Sequence, residues 1–136
     1  MTSIQPELWV ERPSEAIAFY EAAFGARVVH SVGDGDDLVA QLAVGGAAFW
    51  IATSSTAAKR FSPHEIGGAT GRTLLVVDEP DRVAAQAVAA GATEKSPVSD
   101  EHGWRVGRIV DPFGHEWEIG MPLGPWPPGA TPGEVS

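Results

Sequence analysis

The chain has four histidines and no cysteine, so few imidazoles and no thiolate are available to bind a metal or attack a substrate. His30, His64, His102 and His115 lack the paired spacing of a zinc site on one helix. The missing cysteines exclude disulfides, thiolate nucleophiles and zinc–thiolate sites. The acidic run 33–37 lacks the length and closing glutamate of a calcium loop, and we expect a hairpin turn there. The sequence contains no Gly-x-Ser-x-Gly nucleophile elbow, no P-loop and no dinucleotide-binding glycine motif.

Composition bounds the class of protein. The 136 residues, 43% hydrophobic and 20% charged, are typical of one globular domain with a buried core. A net charge of −9 repels nucleic acids and anionic membrane surfaces, so we expect neither as a partner. No apolar run approaches the roughly 18 residues that a membrane-spanning helix needs. The first residues lack the basic and apolar regions of a secretory signal, and we expect a cytoplasmic protein.

Two stretches repeat at an offset of 66 residues. Segments 15–27 and 81–93 each contain an acid, an aliphatic residue, an alanine run and a closing Gly-Ala. Their apolar residues recur at helical spacing. Pro13 and Pro80 supply helix start signals, and Gly25 and Gly91 stand where left-handed helix caps would lie. The repeat therefore predicts two equivalent helices.

Strand-like segments flank both helices in the same order, one before the helix and three after it. The repeat also pairs Trp50 with Trp117, at an offset of 67. We predict an α+β fold of two β-α-β-β-β modules, at 4–52 and 71–120, joined by a linker at 53–70 and followed by a proline-rich tail at 121–136. The predicted strands are 7–10, 27–32, 38–44 and 47–52 in the first module, and 73–77, 93–96, 104–110 and 116–119 in the second.

Segments 13–26 and 103–118 resemble the first helix and the last hairpin of the vicinal oxygen chelate superfamily. That superfamily includes glyoxalase I, bleomycin-resistance proteins and extradiol dioxygenases, and the similarity is closest to a glyoxalase-like branch without a defined activity. The resemblance implies one open cup of mixed sheet with the helices outside and the ligand inside. It also implies a homodimer, because small members of the group often pair.

Alternation along the strands then predicts which side chains face the cup. We expect Leu8, Val10, Trp117 and Ile119 to face the helices, with Trp50 in the core beside them. The repeat predicts that Phe49 and Ile51 face the cup. The other residues expected to face the cup are Gln5, Glu7, Trp9, Glu116 and Glu118.

The resemblance also implies four metal-ligand positions. They fall on Gln5, on Ile51 or a neighbour, on Gly71 or Arg72, and on Glu118. Only Gln5 and Glu118 can act as ligands, and one amide with one carboxylate is a poor site for a cation. We therefore expect no cofactor, and we expect an Arg72–Glu118 ion pair in place of the ion.

Three functions remain open. The first is metal-independent sequestration of an aromatic or cationic molecule, as in bleomycin-resistance proteins, in a cup lined by Glu7, Trp9, Phe49, Arg72, Trp104 and Glu118. The second is a metal-dependent glyoxalase-like lyase, isomerase or dioxygenase. It would hold Ni, Mn, Zn or Fe with Gln5, Glu118 and recruited ligands such as His64 or His102, and Glu118 would be its catalytic base. The third is a regulatory domain with an empty cup.

Overall fold

The computed structural model describes residues 1–129 and contains eight strands and three helices in that range. The order is β1 (Glu7–Val10), α1 (Pro13–Phe24), β2 (Arg27–Asp34), β3 (Asp37–Val44), β4 (Ala47–Thr53), α2 (Pro63–Ile66), β5 (Arg72–Val76), α3 (Pro80–Ala90), β6 (Thr93–Glu101), β7 (Trp104–Val110) and β8 (Glu116–Pro122). No helix within residues 1–129 has the length and apolar character needed to cross a membrane.

The strands form two four-stranded sheets with the same topology. The orders are β1-β4-β3-β2 and β5-β8-β7-β6. The first strand of each module pairs in parallel with the last, and the other pairs are antiparallel. This equivalence confirms the α+β class and the tandem β-α-β-β-β modules predicted from the repeat.

The helix boundaries follow the residues that predict them. Pro13 and Pro80 are the first residues of α1 and α3, where a missing N–H costs no hydrogen bond. Gly25 ends α1 with φ 68°, a left-handed conformation that favours glycine. Gly91 ends α3 with φ 126°, which is positive but lies outside the left-handed helical region.

Each sheet packs one face against α1 or α3 and has neither of these helices on its other face. We call these other faces the open faces. Leu8 and Val10 contact the core, whereas Glu7 and Trp9 lie on the open face of the first sheet. Trp117 and Ile119 are buried, whereas Glu116 and Glu118 lie on the open face of the second sheet. These placements agree with the predicted alternation.

The predicted face is wrong for Phe49, Ile51 and Trp50. Phe49 and Ile51 are buried, and the Phe49 ring meets Tyr20 of α1 edge-to-face at 5.1 Å between centroids. Trp50 lies on the open face instead of in the core. In register Ile51 pairs with Leu8 and Ile119 with Leu75, so Phe49 is equivalent to Trp117. The offset between equivalent residues of β4 and β8 is therefore 68, not 67. An error of one residue exchanges the two faces of a strand.

Several strands extend beyond their predicted ends. β6 continues to Glu101. Pro97 is accommodated within it because β6 is an edge strand whose register shifts between Ser96 and Ser99. β8 continues to Pro122, opposite Trp104 of β7. The acidic run forms the predicted hairpin turn, with Asp34 paired to Asp37.

Asp111 joins the two modules through buried hydrogen bonds. It is 3% exposed, and its Oδ2 accepts from the Tyr20 hydroxyl at 2.5 Å and from Trp117 Nε1 at 3.0 Å. Its Oδ1 accepts from the backbone N–H groups of Phe113 and His115. One carboxylate therefore fixes α1, the β7–β8 turn and β8 relative to one another.

We expect Tyr20→Phe to lower the free energy of unfolding at pH 7 by about 1–3 kcal/mol, since Asp111 loses a buried donor. Burial first, then the charge of Asp111, raises the pKa of Tyr20 well above its ordinary value. A raised folded pKa stabilises the fold below the unfolded pKa, near 10, and that stability is lost as pH rises further. Urea unfolding at several pH values measures both effects.

Tyr20 is the only tyrosine, so the difference between the wild type and Tyr20→Phe isolates its titration from that of the lysines. If the phenolate absorbance of the native protein appeared at the pH that is usual for an exposed tyrosine, the raised pKa of Tyr20 would be contradicted.

Candidate functional site

A cavity of about 310 Å³ lies where the two open faces meet; we call it the first cavity. Glu7 and Trp9, two residues apart on β1, line it from the first sheet. Arg72 of β5 and Glu116 of β8, which are register partners, line it from the second sheet. The size suits a small organic molecule.

The linker forms the remaining wall of the first cavity. Phe61, Pro63, Ile66 and the stretch 68–71 contribute to it. The linker is not structureless, because it contains α2 and an isolated bridge between Ser55 and Arg60. The linker therefore has secondary structure of its own where it lies beside the first cavity.

Hydrogen bonds attach this wall to the first module. Ser62 is fully buried, and its hydroxyl donates to Glu11 Oε1 at 3.1 Å. His64 Nδ1 lies 3.1 Å from the same oxygen. Glu65 accepts from the Ser62 backbone N–H at 2.8 Å, completing a capping box that lowers the pKa of Glu65. His64 therefore binds Glu11 beside the cavity and does not line it.

His115 joins the modules through the backbone. Its Nε2 lies 2.8 Å from the carbonyl oxygen of Trp9. Because β1 is an edge strand, the His115 ring occupies a place where a neighbouring strand would otherwise pair. This contact holds Trp9 in position at the rim of the first cavity.

Glu118 belongs to a chain of ion pairs on the second open face. Its Oε1 lies 3.4 Å from Arg72 Nε, so the predicted Arg72–Glu118 pair is present. Its Oε2 accepts from Arg108 Nε at 3.0 Å, and Arg108 also lies 3.6 Å from Glu101. The Glu118 side chain is only 19% exposed, so two guanidinium groups compensate a largely buried carboxylate.

A cavity of about 420 Å³, the second cavity, lies on the same open face. Trp104, His102, Arg108, Glu118 and Trp126 are among the residues that line it. A third cavity of about 440 Å³, beside the start of β1, is lined partly by Gln5 and Phe49.

The structure therefore distributes the predicted ligand-binding residues over three cavities. Glu7, Trp9 and Arg72 meet at the first cavity, and Trp104 and Glu118 meet at the second. Phe49 lies apart from both because it is a core residue. The sequence does not single out Arg108, since its position depends on strand register. Trp126 lies in the proline-rich tail, and its place in the second cavity depends on the path of that tail.

The family of the chain follows from comparison with known proteins. The model of the Glyoxalase/Bleomycin resistance protein/Dioxygenase superfamily matches residues 3–119. The chain belongs to this superfamily. An uncharacterized protein of Mycobacterium tuberculosis strain H37Rv is 32% identical over 127 residues, covering 89% of this chain and 75% of that protein.

Solved structures share the fold of this chain. A gene product from Arabidopsis thaliana is 26% identical with a TM-score of 0.67, over 88% of this chain and 98% of that chain. TioX from Micromonospora is 23% identical with a TM-score of 0.68, over 91% and 98%. The fosfomycin resistance protein FosX from Listeria monocytogenes, in a complex with Mn(II), is 18% identical with a TM-score of 0.68, over 93% of each chain. The last two likenesses concern the fold alone.

The residues of this glyoxalase-superfamily chain do not fit a divalent cation at the positions that the resemblance implies. The side-chain oxygen Oε1 of Gln5 accepts hydrogen bonds from Trp50 Nε1 and Gln41 Nε2. Both Glu118 oxygens lie in ion pairs with arginines, whose charges would repel a cation. Within residues 1–129, no three side chains of the His, Cys, Asp or Glu type converge.

We expect Arg108→Ala to lower the free energy of unfolding by about 1–3 kcal/mol, because the largely buried carboxylate of Glu118 loses one of its two arginine partners. Arg72 is 46% exposed, and Arg72→Ala is expected to cost less than about 1 kcal/mol. Urea unfolding of the two variants gives the comparison.

Arg82→Ala is the matched control, since it removes an arginine from an exposed pair with Glu79 and should cost less than about 0.5 kcal/mol. Equal losses for Arg108→Ala and Arg82→Ala would show that Glu118 does not depend on its partners.

Proposed function

We propose that this glyoxalase-superfamily protein binds a small planar organic cation in the first cavity, holds it without transforming it, and needs no metal. The observation that carries the proposal is the placement of Glu7 beside Trp9 on one strand face. A carboxylate next to an indole offers a cation both a counter-charge and a negative ring face.

Charge pairing distinguishes Glu7 from its neighbours. Arg72 is paired with Glu118, and Glu116 is paired with Lys95 at 2.6 Å. Within residues 1–129, no Lys, Arg or His nitrogen lies within 4.0 Å of a Glu7 oxygen. The charge of Glu7 is therefore available to a ligand, and the net charge of −9 adds a field that attracts cations.

The state of Glu118 supports binding over catalysis. A proton-transferring carboxylate needs an oxygen that can reach the substrate. Both Glu118 oxygens are held by arginines, so the predicted catalytic base is engaged in structural pairs. The same pairs support the proposal that no metal takes part.

Binding of N-methylquinolinium, a planar cation, should stabilise the protein and change ring fluorescence with a saturable profile. Glu7→Gln and Trp9→Ala are each expected to weaken binding by about tenfold, since each removes about 1.4 kcal/mol of interaction. Fluorescence titration measures the affinities, and chelator treatment should not change them.

Glu15→Gln is the matched control, because it removes a carboxylate from the exposed side of α1. Naphthalene-2-carboxylate, an anion of similar ring size, should bind much more weakly. Equal binding of cation and anion, or full affinity in Glu7→Gln, would refute the cation site. Loss of binding with chelator would refute metal independence.

We also propose that the protein forms a homodimer through apolar side chains of its open faces that line neither the first nor the second cavity. Apolar side chains on these faces remain exposed within residues 1–129, including Val32 and Val39 on the first sheet and Val76 on the second. Exposed apolar patches of this kind mark association surfaces.

Sedimentation at micromolar concentration should show a dimer, and Val32→Asp or Val76→Asp should shift it toward the monomer by placing charge in the interface. Val88→Asp on α3 is the control, because Val88 is similarly exposed at 42% but lies outside both sheets. A monomeric wild type, or dissociation by Val88→Asp alone, would contradict the proposal.

A further inference from the structure

The segment after β8 folds back over the second open face. We call residues 123–128 the C-terminal strap. The Leu123 backbone N–H donates to the Gly103 carbonyl at 2.8 Å, which attaches the strap to the β6–β7 turn. Trp126 then packs edge-to-face on Trp104 of β7, with 5.2 Å between ring centroids and 74° between planes. The strap thus supplies one wall of the second cavity.

Part of the second cavity is apolar, beside the charged residues and His102 that also line it. Trp104 and Trp126 provide two rings, and Leu74 and Val106 provide aliphatic surface. Trp126 remains 45% exposed, so its contact with Trp104 leaves ring surface for a further partner. Flat apolar walls of this type bind flat apolar groups.

The charged residues that line the second cavity, Glu101, Arg108 and Glu118, all lie in ion pairs. Arg108 is paired with Glu118 and Glu101, and Glu118 is also paired with Arg72. With Arg72, which lines the first cavity and not the second, the two arginines and two glutamates of this network carry no net charge. An entering cation or anion would have to break an existing pair, which an uncharged group would not.

We propose that the second cavity is a binding site for an uncharged planar aromatic group, which lies beside the contacting rings of Trp104 and Trp126 and against Leu74 and Val106. The Arg72–Glu118 pair separates it from the first cavity, because Arg72 lines the first cavity and Glu118 lines the second. The two cavities therefore select different chemistry on one side of the sheets.

The two sites together define a ligand class, and this step rests on the proposed function. A molecule with a cationic ring at one end and an uncharged aromatic group at the other matches both cavities. The uncharged site is argued from its own residues, so it can be tested with a probe that lacks a cationic end.

The test uses N-phenyl-1-naphthylamine, an uncharged probe whose fluorescence rises in apolar surroundings. The wild type should bind it saturably, and Trp126→Ala should weaken binding by about five- to tenfold through loss of one ring wall. Trp126→Phe should retain most of the affinity. Leu123→Ala is the matched control, since it truncates an exposed residue of the strap that does not line the cavity.

Leu74→Gln keeps the strap intact and should also weaken binding, because it makes the opposite wall polar. Glu7→Gln should leave probe affinity unchanged, and N-methylquinolinium should not displace the probe. No saturable binding to the wild type, or equal affinity in Trp126→Ala, would overturn the inference. Loss of probe binding in Glu7→Gln would also overturn the inference, because it would assign the probe to the first cavity. If N-methylquinolinium alone failed to bind, that result would count only against the proposed function.

Discussion

The arrangement of the site depends on the hydrogen bonding of Asp111. A buried carboxylate is costly unless its oxygens are satisfied, and here four donors from α1, the β7–β8 turn and β8 converge on it. The donors belong to both modules, so the carboxylate, together with the hydrophobic core that the modules share, fixes how the modules meet. A duplicated fold has two separate sheets, and this contact gives them one relative placement.

That placement determines which side chains can share a cavity. β8 is held at Trp117, so the side chains on either side of it, Glu116 and Glu118, must point to the open face. His115 follows the same turn and reaches the Trp9 carbonyl of the other module. The buried network therefore acts on the site through strand alternation and one imidazole, without contacting a ligand itself.

The sequence predicts the fold better than the site, for a physical reason. A proline at the start of a helix and a glycine at its end are local features. The helix starts predicted at Pro13 and Pro80 and the helix end predicted at Gly25 are therefore correct. Side-chain faces depend on register, where one residue reverses the answer, and Phe49 is misplaced by that amount. Arg108 is harder still, because its partner Glu118 follows from pairing between β7 and β8. Trp126 depends on the path of a proline-rich segment that has no periodic pattern.

Glu7 and Glu118 show why residue type alone does not assign function. Both are glutamates that alternation places on an open face, and both suit a metal, a proton or a cation equally well by their chemistry. Glu118 is flanked across the sheet by Arg72 and Arg108, so its charge stabilises neighbouring strands. Glu7 has Trp9 beside it instead, and its charge faces the cavity. The difference lies in what the adjacent strands carry, and it divides one open side into a charged site and a neutral one.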